Sequence, residues 1–144
     1  FKRELYYGMG WKVDPSFNIS QKGNRIPLLF QQMLGCGTIR YRRDGVCYFE
    51  VRTFAHLWTI VIPFFERFPL KSEKADDFQT FKAILTIIRA KQHLLLPGMR
   101  ELLLLRSTMN RGGKRKFSDQ DILQGMRPES STTTRQTPLK VEMI

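Results

Sequence analysis

Apolar and polar residues alternate along the segment from Trp11 to Gln21. The apolar set is Trp11, Val13, Phe17 and Ile19, and the polar set is Lys12, Asp14, Ser16 and Asn18. A period of two predicts a strand with one buried face and one polar face. Residues 1–5 are predicted to be the end of an earlier strand, and residues 6–10, with two glycines, are predicted to form the turn that follows it. The two strands are expected to pair as an antiparallel ribbon.

A second pair of strands is predicted around Asp44-Gly45, which lies between two alternating runs in residues 35–52. This dipeptide, flanked by alternating residues, is the strongest short-range signal for a hairpin. One face of the hairpin is predicted to carry Arg40, Arg42, Tyr48 and Glu50, while Ile39, Phe49 and Val51 point into the core.

Helices are predicted where apolar residues recur every three or four positions. They are expected from Pro27 to Gly35, from the cap Thr53 to about Arg67, from the cap Ser72 onward, and from about Pro97 to Met109. The resulting order predicts an α+β fold with an antiparallel sheet and helices packed on one face. Residues 1–117 are expected to form the domain. Residues 118–144 are expected to be an extended or disordered basic tail with a helical turn after Ser118.

Charge adds a partner class to this architecture. The 144 residues fit one compact domain and carry a net charge of +11, with a sequence pI near 10.1. Residues 1–52 have a net charge of +5, residues 53–105 of +2 and residues 106–144 of +4. The excess favours a polyanionic partner that meets the strands and the tail. The apolar runs are too short to span a bilayer.

The mixture of side chains on the strands favours sequence-specific recognition of DNA bases over non-specific electrostatic binding to phosphates. Arg recognises guanine edges, Asn recognises adenine, and carboxylates accept from cytosine, whereas a patch of lysines would only hold phosphates. An antiparallel ribbon also has the width to enter a major groove. A solvated sheet face would show the same alternation, and this alternative stays open at the level of pattern alone.

Other residues with reactive side chains carry no site in the sequence. Cys36 and Cys47 lack zinc-ligand spacing and are assigned no chemistry, and a reducing, intracellular setting such as a nucleoid or an organelle is expected. His56 and His93 lie far apart. The adjacent Asp76 and Asp77 point in different directions on a helix. Phe64, Phe65 and Phe68 are predicted to be core residues.

Four segments in order resemble LAGLIDADG homing endonucleases of the single-motif, intron-encoded type found in ribosomal RNA genes. They are GWKVDPSFNISQKGN, LLFQQMLGCGTIRYRRDGVCYFEVR, IVIPFFERFPLKSEKADDFQTF and LLLLRSTMNRGGKRKF. The resemblance covers about residues 1–117. It implies a saddle of antiparallel strands in the DNA major groove, a homodimer joined through motif helices, and hydrolysis of both strands with Mg²⁺.

The motif helix and its metal-binding acid have no counterpart after Phe1 and are expected upstream. The chain taken alone is therefore expected to lack cleavage activity and to contain no metal ligand of its own.

The resemblance also implies roles for individual residues. Gln21 resembles the glutamine that orders water near the scissile phosphate, Lys71 the lysine that stabilises charge there, and Arg25 a basic residue near the same water. The expected DNA contacts are Lys2, Glu4, Lys12, Asp14, Ser16, Asn18, Arg40, Arg42, Tyr48, Glu50, Lys114, Arg115 and Lys116. Two rival hypotheses are an intron RNA splicing helper of the same fold and a basic interaction module of a larger assembly.

Overall fold

The computed structural model describes residues 2–3, 10–112, 115–126 and 140–143. The strands are β1 (Lys2–Arg3), β2 (Trp11–Lys12), β3 (Asp14–Lys22), β4 (Thr38–Tyr41), β5 (Val46–Val51) and β6 (Lys140–Met143). The α-helices are α1 (Arg25–Leu34), α2 (Phe54–His56), α3 (Ile62–Arg67), α4 (Glu73–Arg89), α5 (Leu96–Thr108) and α6 (Asp119–Gln124). A π-helical turn (Leu57–Val61) and two 3₁₀ turns (Gln92–Leu94 and Met109–Gly112) complete the set. The α+β prediction is confirmed.

Two compact units divide the chain. The helical unit contains residues 1–15 and 72–141, and the sheet unit contains residues 16–71 and 142–144. The predicted domain boundary at residue 117 stays a prediction. The part of the predicted tail from 127 to 139 lies outside the described residues.

The sheet has the strand order β4-β5-β3-β6, and β5 pairs antiparallel with both β4 and β3. The predicted hairpin at Asp44-Gly45 is confirmed as the β4–β5 connection. Gly45 has φ 79°, a left-handed conformation that glycine adopts without the steric cost of a Cβ. The hairpin fixes the register that pairs Ile39 with Phe49, and the β3 register places Ile19 opposite the same residue.

Aromatic rings fill the core of the sheet unit. The ring of Phe17 in β3 lies 6.2 Å from Phe49 in β5, 6.4 Å from Phe30 in α1 and 5.3 Å from Phe65 in α3. Offset and edge-to-face pairs at such separations add to the hydrophobic stabilisation of the core. Phe65 is buried as predicted, but Phe68 is 53% exposed at the end of α3, so the prediction that it is a core residue is wrong.

The predicted helix from Thr53 to Arg67 is confirmed in extent but is not regular. Its middle, Leu57–Val61, widens into a π-helical turn just before Pro63. Proline has no N–H to continue the regular ladder, which accounts for an irregular turn at this place. Leu57 and Val61 are fully buried within it.

The helical unit is built on the packing of α4 against α5. The buried stripe contains Phe78, Phe81, Ile84, Leu85 and Ile87 from α4, and Met99, Leu102 and Leu103 from α5. Antiparallel pairing of β1 with β2 confirms the predicted first ribbon.

A short helix follows within the same unit, where the sequence predicted a helical turn after Ser118. Ser118 and Asp121 form a reciprocal capping box at the start of α6. Ile122 in this helix is fully buried. The predicted turn is confirmed, and residues 118–126 are part of the packed unit.

Candidate nucleic-acid interface

The register of β3, β5 and β4 sets the polar side chains in cross-strand rows. One row joins Asn18, Glu50 and Thr38. The next row, nearer the hairpin turn, joins Ser20, Tyr48 and Arg40. Because successive residues in a strand alternate between faces, these two rows lie on one face, opposite the face of Phe17 and Phe49. We call this face the polar face.

Burial changes steeply along the polar face. Ser16 is fully buried and Asn18 is 8% exposed, whereas Ser20 and Lys22, on the same parity of β3, are exposed. The Ser16 hydroxyl finds no hydrogen-bond partner among the described residues. The prediction that Ser16 and Asn18 lie on an exposed face is therefore wrong. Alternation decides which residues share a face, but other parts of the chain decide whether that face meets solvent.

Glu50 departs from the sequence prediction for a related reason. The residue is 9% exposed, and its carboxylate accepts a hydrogen bond from Nη2 of Arg40 at 2.5 Å. The Arg40 side chain, by contrast, is 62% exposed. Glu50 therefore lies on the polar face, as predicted, but it is covered there and supports an exposed cation.

Arg42 is held at the hairpin turn by two partners. One guanidinium nitrogen donates to the Tyr48 hydroxyl at 2.8 Å, and the other lies 2.8 Å from a carboxylate oxygen of Asp44. The hydrogen bond to Tyr48, followed by the charge of Asp44, raises the pKa of Arg42 above its ordinary value. The structure thus brings Arg40, Arg42 and Tyr48 together on adjacent strands, as the sequence predicted.

Three further exposed residues, Ser20, Lys22 and Arg43, lie in the same region and were not predicted as DNA contacts. Ser20 and Lys22 continue the parity of Asn18, so the alternation contained the signal. Arg43 occupies the hairpin turn. With these residues added, the exposed part of the polar face and its turn is more basic than predicted.

Lys12 and Asp14, at the start of the first predicted strand, are half-buried residues of the helical unit. Lys2 pairs with Lys12 in the β1–β2 ribbon, but its side chain lies outside the described residues. Glu4 and Lys114 also lie outside them. DNA contact by all five stays a prediction.

Arg115 and Lys116, the other basic residues predicted to contact DNA, lie just before α6. Arg115 is partly buried because its guanidinium donates to the backbone carbonyl of Arg106. Lys116 is exposed, with its ammonium 5.5 Å from the centre of the Phe117 ring. Lys116 is the better placed of the two to meet a phosphate.

The three residues assigned to catalysis by resemblance are all exposed residues of the sheet unit. Gln21 pairs with Cys47, so its parity places it on the opposite face of the strands from Arg40. Arg25 is the first residue of α1. Lys71 lies in the segment before α4. Lys74, in the first turn of α4, donates a hydrogen bond to Asp77 at 2.9 Å. The three catalytic roles stay predictions.

The described residues contain neither a metal-ligand cluster nor a membrane-spanning helix. Within residues 2–3, 10–112, 115–126 and 140–143, no three His, Cys, Asp or Glu side chains are grouped so that they could hold a metal ion. No helix in the described part of the chain is long and apolar enough to cross a membrane.

Comparison with known families decides where the fold belongs. The family model described as LAGLIDADG endonuclease matches residues 2–85, which is more than half of the chain. The chain belongs to the LAGLIDADG endonuclease family. The match includes β1 to β5 and most of α4, so it covers the whole polar face.

A curated relative of the chain is "Probable intron-encoded endonuclease 2" of Neurospora crassa. It is 30% identical over 103 residues, which are 69% of this chain and 23% of the relative. The chain thus spans about a quarter of that relative's length.

Two solved endonuclease structures are similar to this one. The meganuclease I-SmaMI bound to uncleaveable DNA superposes with a TM-score of 0.73 at 28% identity, covering 78% of this chain and 40% of the other. The homing endonuclease I-TnaI also gives a TM-score of 0.73, at 27% identity, covering 86% of this chain and 82% of the other. The chain corresponds to less than half of I-SmaMI and to most of I-TnaI.

Proposed function

We propose that the intact protein containing this chain is a site-specific double-stranded DNA endonuclease that cuts at an intron-insertion site. The observation that carries the proposal is the exposed, basic part of the polar face in a LAGLIDADG chain. Ser20, Lys22, Arg40 and Arg42 line it. Similar proteins include one named "Probable intron-encoded endonuclease 2" and a meganuclease bound to DNA.

The β4–β5 hairpin supplies the element that would enter the DNA. A two-stranded ribbon fits the major groove of B-form DNA, where each base pair presents its own pattern of donors and acceptors. Arg40 lies within the ribbon, where it can meet base edges. Arg42 and Arg43 lie at the turn, where guanidinium groups can meet phosphates and fix the position of the ribbon.

At the scissile phosphate, the proposed catalytic residues are Gln21, Arg25 and Lys71. An ammonium placed beside a phosphate stabilises the negative charge that develops on its oxygens during hydrolysis, and this is the role of Lys71. The Gln21 amide both donates and accepts hydrogen bonds, so it can order a water molecule beside the phosphate. Arg25 adds positive charge near the same water. All three side chains are exposed.

Magnesium dependence is part of the proposal but does not come from the described residues, which offer no grouped set of metal ligands. A second copy of the domain is also proposed, because the family members that the sequence resembles act as homodimers on nearly palindromic sites. Two copies related by a two-fold axis would grip two half-sites of opposite orientation. Sedimentation of the intact protein on its DNA should give the mass of two protomers, and a single protomer would reject the homodimer.

The test is a cleavage assay with the intact protein and a duplex that spans the uninterrupted intron-insertion site. With Mg²⁺ the duplex should be cut on both strands, and with EDTA in place of Mg²⁺ it should be bound but uncut. The same duplex interrupted by the intron is the control and should stay intact. Tight binding of the intron RNA with no cutting of either duplex would instead favour the RNA splicing helper.

A further inference from the structure

Glu50 is a buried carboxylate on β5, a strand whose other buried residues are apolar. Its neighbours Phe49 and Val51 are buried on the opposite face, and Glu50 itself is 9% exposed. A carboxylate removed from water is costly unless it is paired with a cation and hydrogen-bonded. Here the partner is Arg40, whose Nη2 donates to Oε2 of Glu50 at 2.5 Å.

The strand register shows that this contact is diagonal. Glu50 pairs with Thr38 across the hairpin, whereas Arg40 pairs with Tyr48, so the Arg40 guanidinium reaches back by one row to meet Glu50. Diagonal neighbours on antiparallel strands are within reach of long side chains. The contact takes up one corner of the guanidinium group. Because the group is planar and rigid, this also fixes the direction of its remaining N–H bonds.

We infer that Glu50 is a positioning residue that holds Arg40 in the orientation needed to recognise a guanine, an inference that rests on the proposed DNA-binding function. Arginine donates to guanine O6 and N7 as a pair of parallel hydrogen bonds, which requires a defined direction. Fixing that direction before binding reduces the entropy lost when the contact forms. The ion pair also has no net charge, so it attracts phosphates only weakly. Arg40 therefore contributes more to discrimination between bases than to general affinity for DNA.

Arg42 is the natural comparison on the same hairpin. Its acidic partner Asp44 is 48% exposed, so solvent screens that pair more strongly than the Arg40–Glu50 pair. Asp44 should therefore orient Arg42 less firmly than Glu50 orients Arg40. Asp44→Asn is a matched control in which a carboxylate partner of an arginine is removed from the same hairpin.

The experiment selects tight-binding duplexes from a randomised pool with the intact protein and sequences them. The native protein should enrich one guanine whose preference falls about tenfold in Arg40→Ala. Glu50→Ala should weaken the preference at that same base position by a similar factor, while preferences elsewhere stay unchanged. Glu50→Gln keeps a carbonyl acceptor at the same volume and should restore part of the preference, and Asp44→Asn should leave it unchanged.

The double variant Arg40→Ala/Glu50→Ala separates positioning from a purely structural role. If Glu50 acts through Arg40, the double variant should show the same base preferences as Arg40→Ala. Changed preferences at several positions, or an equal loss of affinity for every sequence, would overturn the inference. If a thermal melt shows that Glu50→Ala does not fold, Glu50→Gln takes its place in the test. Suppose that Glu50→Gln is as stable as the native protein and keeps the full guanine preference, while Arg40→Ala loses that preference. The carboxylate of Glu50 would then not be needed to position Arg40. If the native protein enriches no sequence at all, the proposed DNA-binding function fails before this inference is reached.

Discussion

Asp77 accepts the backbone N–H of Asn110 at 2.9 Å, which ties the start of α4 to the residues that follow α5. Asn110 has φ 49°, a left-handed conformation that asparagine adopts more readily than most residues with a Cβ, and the hydrogen bond holds this turn in place. The second oxygen of Asp77 accepts from Lys74, whose ammonium also donates to the Asn110 side chain at 3.1 Å. Asp77 thus holds the backbone and side chain around one corner of the helical unit.

Asp77→Ala should destabilise the protein by about 2 kcal/mol, because it leaves a backbone donor and an ammonium without their shared acceptor. Denaturant unfolding of the two proteins would measure the loss. Asp76→Ala is the control, since the neighbouring carboxylate is exposed and its removal should cost less than about 0.5 kcal/mol. Equal losses for the two variants would mean that the Asp77 contacts contribute little to stability.

The proposed role of Lys71 can be tested against Lys74, which lies in the same segment. Lys71→Met should slow DNA cutting by about a hundredfold or more while changing the dissociation constant little, since charge stabilisation acts mainly in the transition state. Lys74→Met should act mainly on stability, because Lys74 is held by Asp77 and Asn110. Single-turnover cutting and DNA binding would be measured for each. Slow cutting by Lys74→Met with normal cutting by Lys71→Met would transfer the assignment to Lys74.

Ser72 has φ 57° and ψ −146°, a backbone conformation that is favourable only for glycine. The sequence predicted a helix cap at this residue. α4 does begin directly after it, but in the described part of the chain the hydroxyl makes no capping hydrogen bond to the helix. Ser72→Gly should therefore raise the free energy of unfolding by about 1 kcal/mol. This net gain is the backbone strain removed from the folded state, reduced by the greater conformational entropy that glycine gives to the unfolded chain. Ser72→Ala keeps the Cβ and should show no such gain. A loss of stability in Ser72→Gly would contradict the strain.

The predictable parts of the fold were those decided by neighbouring residues. The hairpin at Asp44-Gly45 and the end of α1 at Gly35 need positive φ angles, and the glycines that supply them are visible in the sequence. Helix spans followed from apolar spacing, with differences of a residue or two at their ends. The family followed from four segments, since their order and spacing carry more information than any one of them.

The parts that were not predictable depend on tertiary packing. Alternation placed Ser16 and Asn18 on a polar face but could not show that this end of the face is covered. Pairing of Arg40 with Glu50 required the register between β4 and β5, which sequence spacing alone does not give. Burial of Ile122 was missed because a six-residue helix shows too little periodicity to stand out from a polar tail.

Arg106 connects α5 to the segment before α6 from a nearly buried position. Its guanidinium donates to the Asp119 carboxylate at 2.9 Å and to the Phe117 carbonyl at 3.0 Å. Burial lowers the pKa of Arg106, and the charge of Asp119 opposes that effect. Arg106→Ala should cost about 2 kcal/mol, because it leaves Asp119 and a carbonyl without this donor.

Local release of α6 is the expected structural consequence of Arg106→Ala. Amide exchange at Ile122 should accelerate more than exchange in α4, since the lost contacts belong to the segment leading into α6. Arg100→Ala removes an exposed arginine from the same helix and serves as the control. Uniform acceleration throughout the protein would indicate global destabilisation and argue against a local anchor.

His93 should make the protein less stable in acid. Burial lowers the pKa of this imidazole below its ordinary 6.5, although a hydrogen bond with the Ile87 backbone opposes the shift. Its Nδ1 is buried, and none of the described residues gives that atom a hydrogen-bond partner, so a proton added there would be an unpaired buried donor.

Below pH 6.5 the unfolded chain therefore binds more protons at His93 than the folded chain does. The stability contributed by neutral His93 is complete above pH 6.5 and is lost as the pH falls from there through the folded-state pKa. Urea unfolding across this range should show a shallower acid slope for His93→Gln than for the native protein, and the exposed His56→Gln should keep the native slope. If His93→Gln also keeps the native slope, the acid sensitivity has another origin.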